Sequence, residues 1–161
     1  MGFQKSRGEK ILLHHPRSFL QKEAIKFLIE EDIPHWGAFH HQFDMNHPLL
    51  KFTSYYSNYI RGSLSQIYYL DHCIFARRDL LSSIQFPVTE IFEDTLLCIE
   101  LKKKGKPSLL PFISTTSAIR FQKNGIYYQA FLNQMMKIGY FLKIPFPLLN
   151  KFYEKSLRLN Q

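Results

Sequence analysis

Apolar residues recur along this chain with two different spacings, and their alternation sets out an order of strands and helices. Ile11-Leu12-Leu13 is a short apolar run ending in His14-His15-Pro16, which predicts a buried strand whose end carries polar groups. Ser18 is then placed to cap a helix in which Leu20, Ala24, Phe27 and Leu28 recur near helical spacing through Glu31. From Trp36 to Asp44 the pattern alternates, with Phe39, His41 and Phe43 on one face and Ala38, His40 and Gln42 on the other, as a strand requires. Pro48 to Arg61 mixes aromatic and small polar residues (Phe52, Tyr55, Tyr56, Tyr59); it fits a helix or a connection over an open site, and helix is the assignment adopted. His72 to Ala76 reads as a second buried strand, followed by Arg77-Arg78 and a short helix through Leu81.

The second half continues in the same manner. A helix is predicted from Glu93 to Lys104, with Phe92, Leu96 and Ile99 at i, i+4 and i+7, Leu97 and Leu101 beside them, Gly105 as its stop and Pro107 just beyond. Ser108-Leu109-Leu110-Pro111 forms a strand leading into Thr115-Thr116-Ser117-Ala118. After Asn124-Gly125 a long helix follows, in which Phe131, Met135, Ile138 and Leu142 mark one apolar stripe, ended by Pro145 and Pro147. A last basic helix, Leu148 to Leu159, mixes Phe152, Leu157 and Leu159 with Lys151, Lys155 and Arg158. With no internal repeat and no linker-like segment, one α/β domain over residues 1–161 accounts for the pattern, residues 123–161 being its helical C-terminal extension.

Composition narrows the function classes. Hydrophobic content of 45% with 16% aromatics in 161 residues excludes general disorder. No run approaches the roughly 18 apolar residues of a membrane span, and Met1 to Lys5 opens no secretory signal, so a cytoplasmic location is expected. Cys73 and Cys98 stand alone, without the paired spacing of a zinc site or disulfide framework, and read as buried small residues. The formal net charge of +8 calls for an anionic partner: nucleic acid, lipid headgroups or a phosphorylated substrate. Without a zinc finger, a glycine-rich phosphate loop or an aromatic-basic RNA signature, nucleic acid rests on charge alone. The C-terminal basic helix could instead lie on the inner face of a membrane. Among the seven histidines, His40 and His41 fall on opposite faces of a strand and so do not share one ion.

The pair Glu93-Asp94 carries the most chemistry. Two carboxylates in a first helical turn are ordinary helix capping, or else a sheltered base: the N–H groups and the positive end of the helix dipole keep Asp94 ionised, ready to accept a proton from an incoming hydroxyl. Tyr55, Tyr56, Tyr59, Tyr68 and Tyr69 form an aromatic-rich passage ahead of Asp71, suited to packing or to stacking on sugar rings.

The order Trp36-Gly37-Ala38-Phe39, Asp71 with Phe75 and Arg77, Phe86-Pro87, Glu93-Asp94, Gly105, Thr115-Thr116-Ser117-Ala118 and Arg120 through Asn124-Gly125 resembles family 2 glycosyltransferases. It is most similar to the small bacterial group described as radical-SAM or selenodomain-associated transferases, and the resemblance spans nearly the whole chain. It implies a GT-A (Rossmann-like) fold, here as an incomplete mixed sheet flanked by helices, and transfer of a sugar from a nucleoside diphosphate sugar to an acceptor, with a divalent Mn²⁺ or Mg²⁺ gripping the diphosphate. It further implies Asp94 as general base with Glu93 beside it, Asp71, Trp36 and Tyr69 on the acceptor side, and Arg120 on the diphosphate. His15-Pro16-Arg17-Ser18 falls where the family places its metal-binding motif, with Arg17 in place of the aspartate. A guanidinium does not ligate a cation, so Arg17 is expected either to remove the metal or to contact the diphosphate itself; His15 and His72 are the remaining candidates for a metal ligand near that edge. The family's first strand-helix-strand unit has no counterpart before Met1, which implies a partner polypeptide carrying the nucleotide-binding half, or a remnant of a longer gene. The alternative is a non-catalytic scaffold that keeps the fold.

Overall fold

The computed structural model describes residues 2–157, and the part of the last predicted helix that includes Arg158 and Leu159 lies outside them. In chain order the elements are α1 (Gly2–Lys5), β1 (Lys10–Leu13), β2 (Ser18–Leu20), α2 (Lys22–Glu30), β3 (Trp36–Phe43), α3 (Pro48–Tyr55), a π-helical segment (Tyr56–Arg61) and α4 (Gly62–Ser65). A 3₁₀ turn (Leu70–His72), β4 (Ile74–Arg77), α5 (Arg78–Ser82), α6 (Glu93–Lys102), β5 (Ser108–Thr116), α7 (Ile119–Asn124), α8 (Ile126–Phe141) and α9 (Phe146–Ser156) complete the order. The chain divides into two compact units, one comprising residues up to Pro87 together with Asp94–Thr116, the other Val88–Glu93 and the residues from Ser117 onward. The fold is α/β, with a five-stranded mixed sheet, order β1-β4-β3-β5-β2, in the first unit.

Only β3 and β5 run parallel; β4 is antiparallel to both β1 and β3, and β2 is antiparallel to β5. Alternation along these strands builds two cores on opposite faces. Ile11, Trp36, Ala38, Ile74 and Ala76 face one way, against Leu97, Cys98 and Leu101 of α6. Phe39, Cys73 and Phe75 face the other way, against Ala24 and Leu28 of α2. Both faces are covered, which is why Ile11-Leu12-Leu13 and Ile74-Phe75-Ala76 are continuous apolar runs rather than alternating ones.

Two close backbone features fix the central pair. A Cβ on Gly37 would collide with the carbonyl of Ser108 and with the Phe75 ring, so β3 and β5 reach their separation only with glycine there. Further along, the register jumps from Phe39↔Leu110 to His40↔Ile113, leaving Pro111 and Phe112 as a bulge in β5. Proline has no N–H to give to a ladder, and a bulge is where a strand tolerates it. The predicted strand of Ser108–Pro111 therefore runs on past its proline to Thr116.

Four elements depart from the sequence-based expectation. Ser18 does not cap a helix: it lies in β2, opposite Thr116, and its Oγ is 2.7 Å from that residue's hydroxyl, so α2 starts only after Gln21. Gly105 keeps a negative φ and supplies no left-handed helix stop; α6 ends at Lys102, and the Gly105 carbonyl accepts the Trp36 indole N–H at 2.8 Å. The stripe Phe131, Met135, Ile138 and Leu142 is exposed, because α8 buries Gln129, Leu132, Met136 and Gly139 instead. Its side chain being a single hydrogen, Gly139 lets Leu149 of α9 come into close contact. Pro145 and Pro147 do not stop α8, which has already ended at Phe141; they open α9, where proline suits the first turn.

The Gly37 contact predicts a specific cost. Gly37→Ala should destabilise the fold by about 3 kcal/mol through forced separation of β3 from β5. Urea unfolding followed by far-UV circular dichroism reads this directly, and an unchanged midpoint would contradict the close approach.

Candidate functional site

The polar residues of the first unit gather where the parallel strands end. His41-Gln42-Phe43 of β3 pair with Ser114-Thr115-Thr116 of β5, so both carboxyl ends lie side by side, the position at which open α/β sheets bind ligands. The 3₁₀ turn covers this end: the Asp71 carbonyl accepts from Ser114 Oγ at 2.6 Å and from Thr116 Oγ1 at 3.4 Å. That leaves the Asp71 carboxylate half-exposed, 3.8 Å from His15 Nδ1. The tight turn His15-Pro16-Arg17-Ser18 brings Arg17 to the same edge, closed by the Ser18 N–H on the His15 carbonyl at 2.9 Å. The Arg17 backbone N–H donates to His15 Nδ1 at 3.1 Å, so this nitrogen is the acceptor and Nε2 carries the proton in neutral His15.

Asp94 joins this group through the neighbouring backbone. Its Oδ2 accepts the Leu70 N–H at 3.3 Å, and its Oδ1 accepts the Thr95 N–H at 2.7 Å and the Thr95 hydroxyl at 3.4 Å. One carboxylate thus ties the start of α6 to the turn that carries the other. Tyr69 immediately precedes this turn: burial pushes its phenol up, with the Asp94 carboxylate adding to the rise and the Arg61 guanidinium opposing it. Arg61 stacks on the Tyr69 ring at 3.6 Å. The backbone is strained beside each carboxylate, with φ at +59° for Phe92 and +51° for Cys73. Bulky and thiol side chains rarely occupy that region, and such outliers concentrate where a site must be held in place.

Beneath Asp71 lies a buried polar layer that the sequence pattern left unread. Asn58 donates to the His41 carbonyl at 2.9 Å and accepts the His41 N–H at 2.8 Å, substituting for a strand on the stretch of β3 that β4 does not reach. The π-helical segment sets Asn58 in that register, a use of π-bulges common at functional sites. His72 Nδ1 faces the Phe39 carbonyl at 3.0 Å and so carries the proton, while Nε2 faces Ser57 Oγ at 2.8 Å and an Arg61 nitrogen at 3.3 Å. Arg61 also donates to Ser57 Oγ and to the Ile67 carbonyl, and it forms no ion pair among the described residues. The His41 ring, 5.3 Å from that of His72, has Nδ1 on Ser54 Oγ and a buried Nε2 without a hydrogen-bond partner. Burial holds His41 down to about 4, against a smaller upward pull from Asp71, and holds His72 well below its ordinary value.

The other expected site residues lie elsewhere. Trp36 is fully buried in the core with its N–H bonded to Gly105, so in this structure it has no surface to offer an acceptor. Glu93 is exposed and belongs to the second unit. Arg120 belongs there too, with Nη1 3.3 Å from the Tyr153 hydroxyl and a buried Nε that has no hydrogen-bond partner. The first unit therefore unites Asp71, Asp94, Tyr69, Arg17 and His15, and adds Arg61, Ser57, His41 and His72. No family model, curated protein or solved structure matches this chain. Among the described residues no three His, Cys, Asp or Glu side chains converge as metal ligands.

Apart from the Cys73 and Cys98 thiols and the Tyr68 phenol, which burial pushes up and so leaves neutral, the deepest titratable groups here are imidazoles held neutral. With His41 near 4 in the folded chain and 6.5 when unfolded, the unfolded state takes up the proton first as pH falls. The stability is present in full above about pH 6.5 and is lost progressively towards pH 4, to a total of about 3 kcal/mol. Urea midpoints measured across that window should fall, and His41→Gln should reduce the dependence to the part that His72 carries.

Proposed function

We propose that this chain is the acceptor-side portion of a family 2 glycosyltransferase, with Asp94 as the base that takes the proton of the acceptor hydroxyl. The observation that carries this reading is the Asp94 carboxylate, anchored by the Leu70 and Thr95 N–H groups within the turn that presents Asp71, at the carboxyl ends of the parallel pair. A base fixed by the main chain loses little freedom when the acceptor arrives, which is how positioning contributes to rate. In the proposed step Asp94 accepts the proton as the acceptor oxygen forms its bond to the anomeric carbon. The bond from that carbon to the diphosphate breaks, and the nucleoside diphosphate leaves with the electron pair, giving inversion.

Asp71, half-exposed and directed by its carbonyl bonds to Ser114 and Thr116, fits a role in orienting acceptor hydroxyls, with the Tyr69 ring as a face for the sugar. Arg17 at the same edge supplies a fixed cation for the diphosphate, and Arg120 is the corresponding candidate in the second unit. Mn²⁺ or Mg²⁺, bound through the diphosphate, would neutralise the leaving group; no step of this reading depends on it. The second reading, a non-catalytic scaffold, is favoured by Arg17 standing where a metal-binding carboxylate is expected.

Calorimetric titration with UDP and GDP sugars, with and without Mn²⁺, separates the two readings. Sugar-nucleotide binding that survives a chelator and is weakened about ten-fold or more by Arg17→Ala supports the enzyme. Asp94→Asn should lower turnover at least about a hundred-fold in any active assembly while leaving donor affinity unchanged. Undiminished turnover removes Asp94 from the mechanism, and absence of donor binding favours the scaffold.

A further inference from the structure

We infer that α8 is a docking surface for an anionic lipid bilayer, on which the protein lies without crossing it. The sixteen-residue helix has two apolar sides. At about 100° per residue, Leu132, Met136 and Gly139 form the buried side, while Tyr127, Phe131, Met135, Ile138 and Leu142 fall within about 40° of a second direction. That second direction is solvent: Tyr127 is 75% exposed, Phe131 58%, Ile138 49% and Leu142 69%. Phe141, the last helical residue, is exposed on the flank of this stripe, and Ile144 is exposed just past the helix end. An apolar stripe of this length is more than the scattered surface leucines of an ordinary soluble domain, and something of matching chemistry must cover it.

Charge selects the occupant. The helix and the turn after it, Ile126 to Pro145, contain no Asp or Glu, and their only formal charges are Lys137 and Lys143, within a chain of net charge +8. Exposed phenols of Tyr127 and Tyr128 suit the headgroup layer, where one end of a ring is apolar and the other wet. No helix among the described residues is long and apolar enough to cross a membrane. A short helix with a bulky apolar face, aromatic residues and lysines lies in the interface plane, held by both the apolar contact and the anionic lipid. The sequence points to the basic helix from Leu148 onward for such a contact, and Leu148 and Phe152 are exposed there too; the longer exposed stripe is on α8.

Co-sedimentation of the full chain with vesicles of phosphatidylcholine alone, or mixed with phosphatidylglycerol, tests this. Binding should be at least about ten-fold stronger to the mixed vesicles and fall at high salt. Replacing Phe131, Ile138 and Leu142 together by Ser should weaken it about a hundred-fold, and because all three are exposed the variant should keep its circular dichroism. Lys143→Glu, which leaves the stripe intact, should weaken binding to the mixed vesicles about ten-fold. Equal binding to neutral vesicles, undiminished binding by the triple Ser variant, or no binding at all would overturn the proposal. A dimer in solution that the Ser substitutions abolish, without vesicle binding, would overturn it in favour of a second copy of this chain.

Discussion

The parallel contact between β3 and β5 is the constraint from which the first unit follows. Its strands approach at Gly37 as closely as a missing side chain allows, so the ladder is tight at its start. It then takes up the Pro111-Phe112 bulge before resuming at His40 and Ile113, and that shift decides which residues finish together. Because of it, Ser114 and Thr116 come beside His41 and Phe43, and their hydroxyls hold the main chain of Asp71. Without those two extra residues the hydroxyls would keep their face but slide along it, setting Phe112 beside His41 and Ser114 beside Phe43.

Electrostatically, this end of the sheet is layered. Neutral imidazoles lie deepest, Arg61 is held above them by a hydroxyl, a carbonyl and an aromatic face, and two carboxylates stand near the surface. Even partly burying a guanidinium without a carboxylate partner is costly, and the neutral groups around Arg61 offset part of that cost. The same charge disfavours protonation of both imidazoles, so the cation and the neutral rings support each other.

Much of the sheet was legible because its strands obey simple periodicity. Trp36–Phe43 alternates, and Ile11–Leu13 and Ile74–Ala76 are apolar throughout, as strands covered on both faces must be. The Glu93-Asp94 helix start was legible for the same reason, but the core row of that helix is Leu97, Cys98 and Leu101, while the leading row of Phe92, Leu96 and Ile99 is only half-buried. What stayed hidden depends on partners distant in sequence. Ser18 looks like a cap until Thr116 is opposite it, and Trp36 looks like a ligand contact until Gly105 receives its N–H. Asn58 reads as an ordinary helical position, since nothing local shows that its amide will act as a strand. The stripe on α8 was visible as a periodicity, but period alone does not say which of two apolar sides faces the protein.

Cys98 sits where α6 meets the strand layer, its Sγ bonded to the Tyr68 carbonyl at 3.3 Å and its thiol pushed up to about 12. At neutral pH only about one molecule in 10⁵ then carries the reactive thiolate. Cys73, equally buried, shares its sulfur with Ser114 at the other core. The protein therefore carries two silent probes, one under each face of the sheet. Alkylation of each would report how often that face opens, giving separate clocks for the breathing of the two cores.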